Sequence, residues 1–456
     1  MFQGGQNPQG LPSREENTSI GGYNDLPKLG YDFGAPLGEY GEARPVLNAL
    51  RPIHEFLNAF GDRLAPMAVY MPDTQPADPS DLQTLRWSVR GDGKRGFLFV
   101  NNYVRQYAMV AHDEVRFDIK LGTANIKLPP VTVSTGAYFV WPLNFDLSGI
   151  NLSYATAQPL TRLTDERGDI YVFSATTGVA SNFAFGPGIT TKGAGLPQAL
   201  DGKEVYTVDR LDQLIYVGDH QGHRARILVV STADAGSLAV LRLAGKDHLV
   251  VTQANAFEAA DGGIEFRQTG DPVFKFSTYP HFTQKPVALN VIGKAGIFTR
   301  YEKAVPSKSL TASVEVLREP GNAAAARNIG PKGTAIEPLP EAFGASGKWQ
   351  IVVPADALTG LSDAYLRISY KGDIARLFSG GEMLDDAFYD GKVWSIGLKR
   401  YAAKLQTPLT LTILPLKQDA KIMLDETAIP TTYENGQVAS VEKVELTPEY
   451  SLSVKP

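Results

Sequence analysis

Two hydrophobic periods divide this chain. Near the start, Val46, Leu50, Ile53, Leu57 and Phe60 recur at offsets of four and three, which puts them on one side of a helix and predicts their burial. Gly61 stands where a left-handed cap would end that helix. Pro45 suits a first turn, whereas Pro52 removes an interior hydrogen bond and predicts a kink or a late start. Beyond the helix the period is two. Leu85, Trp87 and Val89 alternate with Arg86, Ser88 and Arg90, and Val115, Phe117, Ile119 and Leu121 alternate with charged residues, so each segment has one buried and one wet face. Further strands are readable over 97–100, 138–141, 151–156, 169–174, 213–217, 226–231, 237–243, 272–278 and 310–317. Gly91-Asp92-Gly93 is a hairpin signal, and no helical period of useful length intervenes. Short strands at such spacing predict a mainly β chain of antiparallel sandwiches. The lack of a fixed repeat speaks against propellers and solenoids.

Punctuation sets the organisation. Residues 6–30 are rich in Gly, Pro, Asn and Ser and read as a long loop, and 66–79 contains four prolines and reads as a linker. A second boundary falls in 320–340, where Gly, Ala, Asn and Pro crowd together. The strands after it, at 348–353, 364–370, 373–378, 394–398 and 409–414, suggest a jelly-roll.

Composition narrows the function classes. At 456 residues the chain is long enough for about two to four domains with real cores. Hydrophobic residues at 43% and a mean hydropathy of -0.14 fit a globular protein. A net charge of -5 offers no basic footprint for nucleic acid. The absence of cysteine excludes disulfides, thiolate zinc sites and cysteine nucleophiles. No apolar run approaches the ~20 residues of a membrane helix, and the first residues lack the basic-then-apolar pattern of a signal peptide.

One stretch carries a family signature. Met1-Phe2-Gln3-Gly4-Gly5-Gln6-Asn7, then Gly30-Tyr31-Asp32-Phe33-Gly34-Ala35-Pro36-Leu37-Gly38-Glu39-Tyr40-Gly41, then the helix through Leu50-Arg51, resembles one segment of the family 35 glycoside hydrolases, the β-galactosidases. In that family a strand reading M-F-x-G-G-T-N-F is the last of a catalytic (β/α)8 barrel; a loop with T-S-Y-D-Y-x-A-P-L-x-E-x-G and a closing helix follow it. The resemblance covers the first 60 or so residues. With the boundaries above it gives an expected division into 1–63, the last strand, loop and helix of an incomplete TIM barrel; 64–235, a β-sandwich; 236–325, a second β-rich domain; and 326–456, a jelly-roll, where Asp373-Ile374-Ala375-Arg376-Leu377, Gly380-Gly381-Glu382 and Asp385-Asp386 with Phe388-Tyr389 resemble galactose-binding-like domains. It also implies a retaining exo-glycosidase acting on terminal β-galactosides, which needs two carboxyl groups about 5 Å apart. In the family both are glutamates on the fourth and seventh barrel strands. Those strands would precede Met1, so the chain alone is expected to be inactive. No cofactor or metal is implied, the partner is a carbohydrate, and a periplasmic or extracellular setting is expected of the full-length protein.

The substrate contacts implied by the resemblance are Asn7, Tyr31, Asp32 and Phe33. Phe33 replaces the second tyrosine of Y-D-Y, and the loss of a hydroxyl at a sugar site alters specificity more readily than fold. Tyr31 and Asp32 read equally well as a loop brace. Near the other end, Asp385-Asp386 beside Phe388, Tyr389 and Trp394 combines carboxylates with aromatic rings, as sugar sites do, although rings in a sandwich are usually core. Glu39 and Glu42 suit the helix start, where they would favour the macrodipole. His220 and His223 read as a turn rather than a metal site, and His54 as a solvated residue off the apolar stripe. With the barrel missing, the stripe is expected to be partly bare or packed on the first sandwich. A non-catalytic β-sandwich protein that binds carbohydrate or another partner stands as the alternative to the glycosidase.

Overall fold

The computed structural model of the chain describes residues 14–17, 22–25, 27–30, 34–282 and 289–455. The protein is mainly β, formed of several antiparallel sheets that pack as β-sandwiches. It divides into two compact units, each built from separate stretches of chain. One takes the described residues up to Leu47 with Phe266–Phe274 and Ala304–Leu452; the other takes Asn48–Glu265, Lys275–Lys303 and the residues from Ser453.

The unit that starts at Asn48 is layered. Its eight-stranded sheet runs in the order Gln198–Leu200, Lys203–Thr207, Asn182–Phe185, Ile150–Ala155, Tyr138–Leu147, Gly96–Asn101, Arg86–Gly91 and Ala68–Tyr70. A five-stranded sheet runs Ala157–Asp165, Gly168–Ala175, Arg224–Val230, Leu214–Gly218 and Thr190–Lys192. Phe97, Phe145, Leu152 and Phe183 of the first sheet share a core with Tyr171, Phe173, Ile227 and Val229 of the second. The opposite face of the second sheet, with Ile170, Val172, Leu228 and Val230, packs with Leu238, Leu249 and Phe298. With both faces covered, its central strands read as apolar runs rather than alternations. That is the setting in which parallel pairing occurs, and Gly168–Ala175 runs parallel to Arg224–Val230.

The helix differs from its expected form. It runs Pro45–Leu64, straight past Gly61, with Pro52 inside it. Its buried apolar face is Phe56, Phe60 and Leu64, with Ile53 and Ala59 partly covered, whereas Leu57 is 43% exposed. The two phenylalanines bring more apolar area than the aliphatic side chains of the expected stripe, and that area sets the rotation. This face packs on the sandwich core described above, whereas the stripe read from the sequence is split between the two fates expected for it, Phe60 packed and Leu57 bare. A short helix, Thr232–Ser237, was beyond reach of a periodicity argument; Ser231 caps it, its Oγ accepting from the Asp234 N–H at 3.0 Å.

The other unit holds a sandwich. One sheet runs Ser313–Arg318, Gly347–Val352, Leu409–Ile413, Ile374–Ser379 and Glu382–Phe388. Facing it, Asp363–Lys371 lies between Trp394–Gly397 and residues 440–449. Trp349, Ile351, Leu377, Leu411 and Ile413 from the first sheet meet Leu366, Ile368, Ile396 and Leu446 from the second. Gly380-Gly381 turns the hairpin that ends in Asp385 and Asp386, and Gly380 takes φ of 57°, where a side chain would be strained.

Candidate functional site

Asn7, Tyr31, Asp32 and Phe33 lie outside the described residues. The flanks of Tyr31, Asp32 and Phe33 are described, and both are tied to the sandwich hairpin. Asp386, on the edge strand Glu382–Phe388, accepts three successive backbone N–H groups. Its Oδ2 takes Lys28 at 2.7 Å, and its Oδ1 takes Leu29 at 2.7 Å and Gly30 at 3.0 Å. The approach requires a glycine, because a Cβ on Gly30 would stand 2.6 Å from the Asp386 carbonyl oxygen.

Residues 37–43 form a small closed loop. Leu37 bridges Ala43, and the Gly38 N–H donates to the Glu42 carbonyl at 2.9 Å. Gly38 leaves room for the Glu42 carboxylate, and Gly41 takes φ of 86°. Glu42 accepts from the Tyr40 N–H at 3.1 Å and pairs with Arg44 at 3.1 Å, so it braces the loop rather than the helix start expected for it. Tyr40, at the tip, packs against the sandwich core. Its hydroxyl donates to Asp385 Oδ2 at 2.7 Å and meets the Tyr401 hydroxyl at 3.2 Å, while the Arg400 guanidinium covers its ring at 4.5 Å.

Asp385 and Asp386 are therefore almost fully buried anchors. Burial pushes the Asp385 carboxyl up to about 6, against the stabilising hydrogen bond from Tyr40. The Trp394 indole also bonds to Asp385, and it stands 6.4 Å from the Tyr370 ring. Tyr389 is core; its hydroxyl donates to the Ala428 carbonyl at 2.9 Å. An open cavity of about 770 Å³ is lined by Asp385, Asp386 and Trp394, with Arg44, Arg367 and Lys392. The structure thus brings together four of the five residues singled out near this end of the chain, Asp385, Asp386, Phe388 and Trp394, and it commits the two carboxylates to internal donors. The partners Tyr40, Tyr401 and Arg400 were missed in the sequence; Tyr40 sits within the motif loop, the one signal that pointed to it.

Tyr389 lines a second cavity, of about 320 Å³, with Asp373, Ile374, Phe388 and Leu414. The apolar walls push Asp373 up to about 6, and Glu337 adds to the rise. A carboxyl whose folded pKa lies above its unfolded 3.8 favours folding only when protonated. Its penalty is present at neutral pH and is relieved as pH falls through about 6. Asp373→Asn is therefore expected to exceed the wild type in stability at about pH 7.5, by up to about 3 kcal/mol, and to lose that advantage near pH 4. Urea titrations at the two pH values check this; an advantage that does not vary with pH would disprove it.

The turn between Leu214–Gly218 and Arg224–Val230 holds both histidines; His223 Nδ1 lies 2.7 Å from Asp219 Oδ2. Among the described residues, no group of three or more His, Asp or Glu side chains is arranged to hold a metal. His54 is exposed on the helix. Among the described residues, no helix is long and apolar enough to cross a membrane. Neither a protein-family model nor a curated protein sequence matches this chain.

Proposed function

We propose that this chain is the C-terminal part of a β-galactosidase-like exo-glycosidase of the family 35 type. In this reading the first 60 or so residues are the remnant of the barrel end and the last sandwich is a jelly-roll of galactose-binding-like type. The supporting observation is the use made of the motif loop. Glu39 and Gly41 are motif positions, Gly38 stands at the variable position just before them, and each of the three has a bracing task. Gly38 makes room for Glu42, the Glu39 carbonyl accepts from Arg400 at 2.7 Å, and Gly41 takes the left-handed turn. A loop at the mouth of a barrel needs such a brace, because substrate contacts must be held within a fraction of an ångström. The residues between the two anchored flanks, Tyr31, Asp32 and Phe33, are then the sugar contacts, and the carboxylates that break the glycosidic bond belong to earlier strands.

Two measurements test the reading. The coding DNA upstream of Met1 should carry an in-frame barrel with two strand-end glutamates; a stop codon there without a barrel would sink it. The 456-residue chain should give no turnover of a chromogenic β-galactoside above a blank. Turnover would refute the claim that the catalytic pair lies elsewhere.

A further inference from the structure

The unit that begins at Asn48 contains a cleft of a different chemical character. A cavity of about 430 Å³ opens between the helix Pro45–Leu64 and the strands Tyr138–Leu147 and Gly168–Ala175. Its lining includes Asn48, Ser134, Gln158, Thr176 and Thr232, and not one charged residue. The volume lies within the range of small-molecule sites. A mostly apolar trough of about 550 Å³, with Arg86 as its one charged lining residue, adjoins it; the two share Ala49, Pro52, Tyr138, Phe139 and Gln158. Tyr138 stands at the junction with 67% of its surface exposed.

The polar groups are held in place and keep unused valences. Gln158 Oε1 accepts the Val140 N–H at 3.0 Å, which fixes the amide plane and leaves Nε2 to donate into the cleft. Thr176 Oγ1 accepts from the Trp141 indole at 3.0 Å, so its own proton remains available. Thr232 Oγ1 donates to the Ala175 carbonyl at 2.8 Å and receives Thr177, which leaves the wall rigid. The Asn48 amide has no hydrogen-bond partner among the described residues.

A ligand carrying a net charge would lose hydration in this cleft and gain no counter-charge, a cost of several kcal/mol. A purely apolar ligand would strand the amides. Hydroxyls that donate and accept at once match carboxamides and threonine hydroxyls, and the apolar face of a sugar ring matches an exposed tyrosine. We propose that this cleft binds an uncharged oligosaccharide, with one residue held by Asn48, Gln158 and Thr176 and the next laid on Tyr138. The inference does not depend on the glycosidase reading, since it uses no residue of the motif loop.

The test is a calorimetric titration of the whole chain with neutral gluco-, galacto-, xylo- and manno-oligosaccharides, and with an oligouronate of equal length. At least one neutral series should bind and the oligouronate should not. Tyr138→Ala and Asn48→Ala should each weaken the interaction about tenfold, with circular dichroism unchanged because both side chains are at the cleft surface. Val316→Ser, at an exposed strand position of the other unit, should leave it intact. The proposal is overturned if no neutral series binds, if the oligouronate binds equally well, or if folded Tyr138→Ala and Asn48→Ala bind like the wild type. Absence of an upstream barrel would end the glycosidase reading without touching this one.

Discussion

Asp386→Ala is expected to destabilise its unit by about 3–5 kcal/mol. The side chain is 2% exposed and accepts the N–H groups of Lys28, Leu29 and Gly30. Hydrogen bonds to an ionised acceptor contribute more than neutral ones, and the alanine variant would leave three donors without their acceptor. It would also remove a negative charge that supports the half-buried Arg376 guanidinium, whose own pKa burial lowers. Asp386→Asn keeps the volume and one acceptor oxygen. Oriented to serve Leu29 and Gly30, it turns its NH2 against the Lys28 N–H, so about half of the loss is expected. Urea midpoints and the rate of proteolytic cleavage near residues 27–30 report the two effects. A variant with the wild-type midpoint and an uncleaved strap would show that the carboxylate is not the anchor.

How much of this was legible depended on range along the chain. Residues 85–90 could be read because each strand face meets one environment, and the hairpin at Gly91-Asp92-Gly93 follows from local turn chemistry. The strand Ala157–Asp165 was not read, because Pro159 resembles a breaker; it is tolerated at a register shift between Pro159 and Thr161. The parallel pairing of Gly168–Ala175 with Arg224–Val230 is invisible to periodicity, since strands covered on both faces show apolar runs whatever their direction. Asp385 and Asp386 stood out as carboxylates among rings. Their partners lie some 345 to 358 residues away, and no local rule connects them. The cleft in the other unit is less legible still: Asn48, Tyr138, Gln158 and Thr176 come from four segments and share no motif.

The helix offers a comparison in which sequence and structure make opposite forecasts. Phe60→Ala is expected to cost about 3–5 kcal/mol, the range for emptying a buried phenylalanine site. The Phe60 ring is 2% exposed, meets Phe145 edge-on at 5.2 Å, and lies near-parallel to Tyr171 at 6.5 Å. The Arg63 guanidinium sits 4.7 Å from the centre of the Phe145 ring and donates to the Asp146 carbonyl at 3.0 Å, so the rings are also capped from the polar side. Such an interior is too well fixed to collapse into the void, which places the cost toward the upper end. Leu57 belongs to the same helical stripe in the sequence pattern, yet it is exposed, and Leu57→Ala is expected to change stability by less than about 0.5 kcal/mol. Phe56→Ala should join Phe60→Ala, since its ring is fully buried against Phe97 at 5.3 Å. Denaturant midpoints for the three variants decide the matter. If Leu57→Ala costs as much as Phe60→Ala, the helix is rotated toward the stripe that the bare periodicity suggests, and the buried face described for it is wrong.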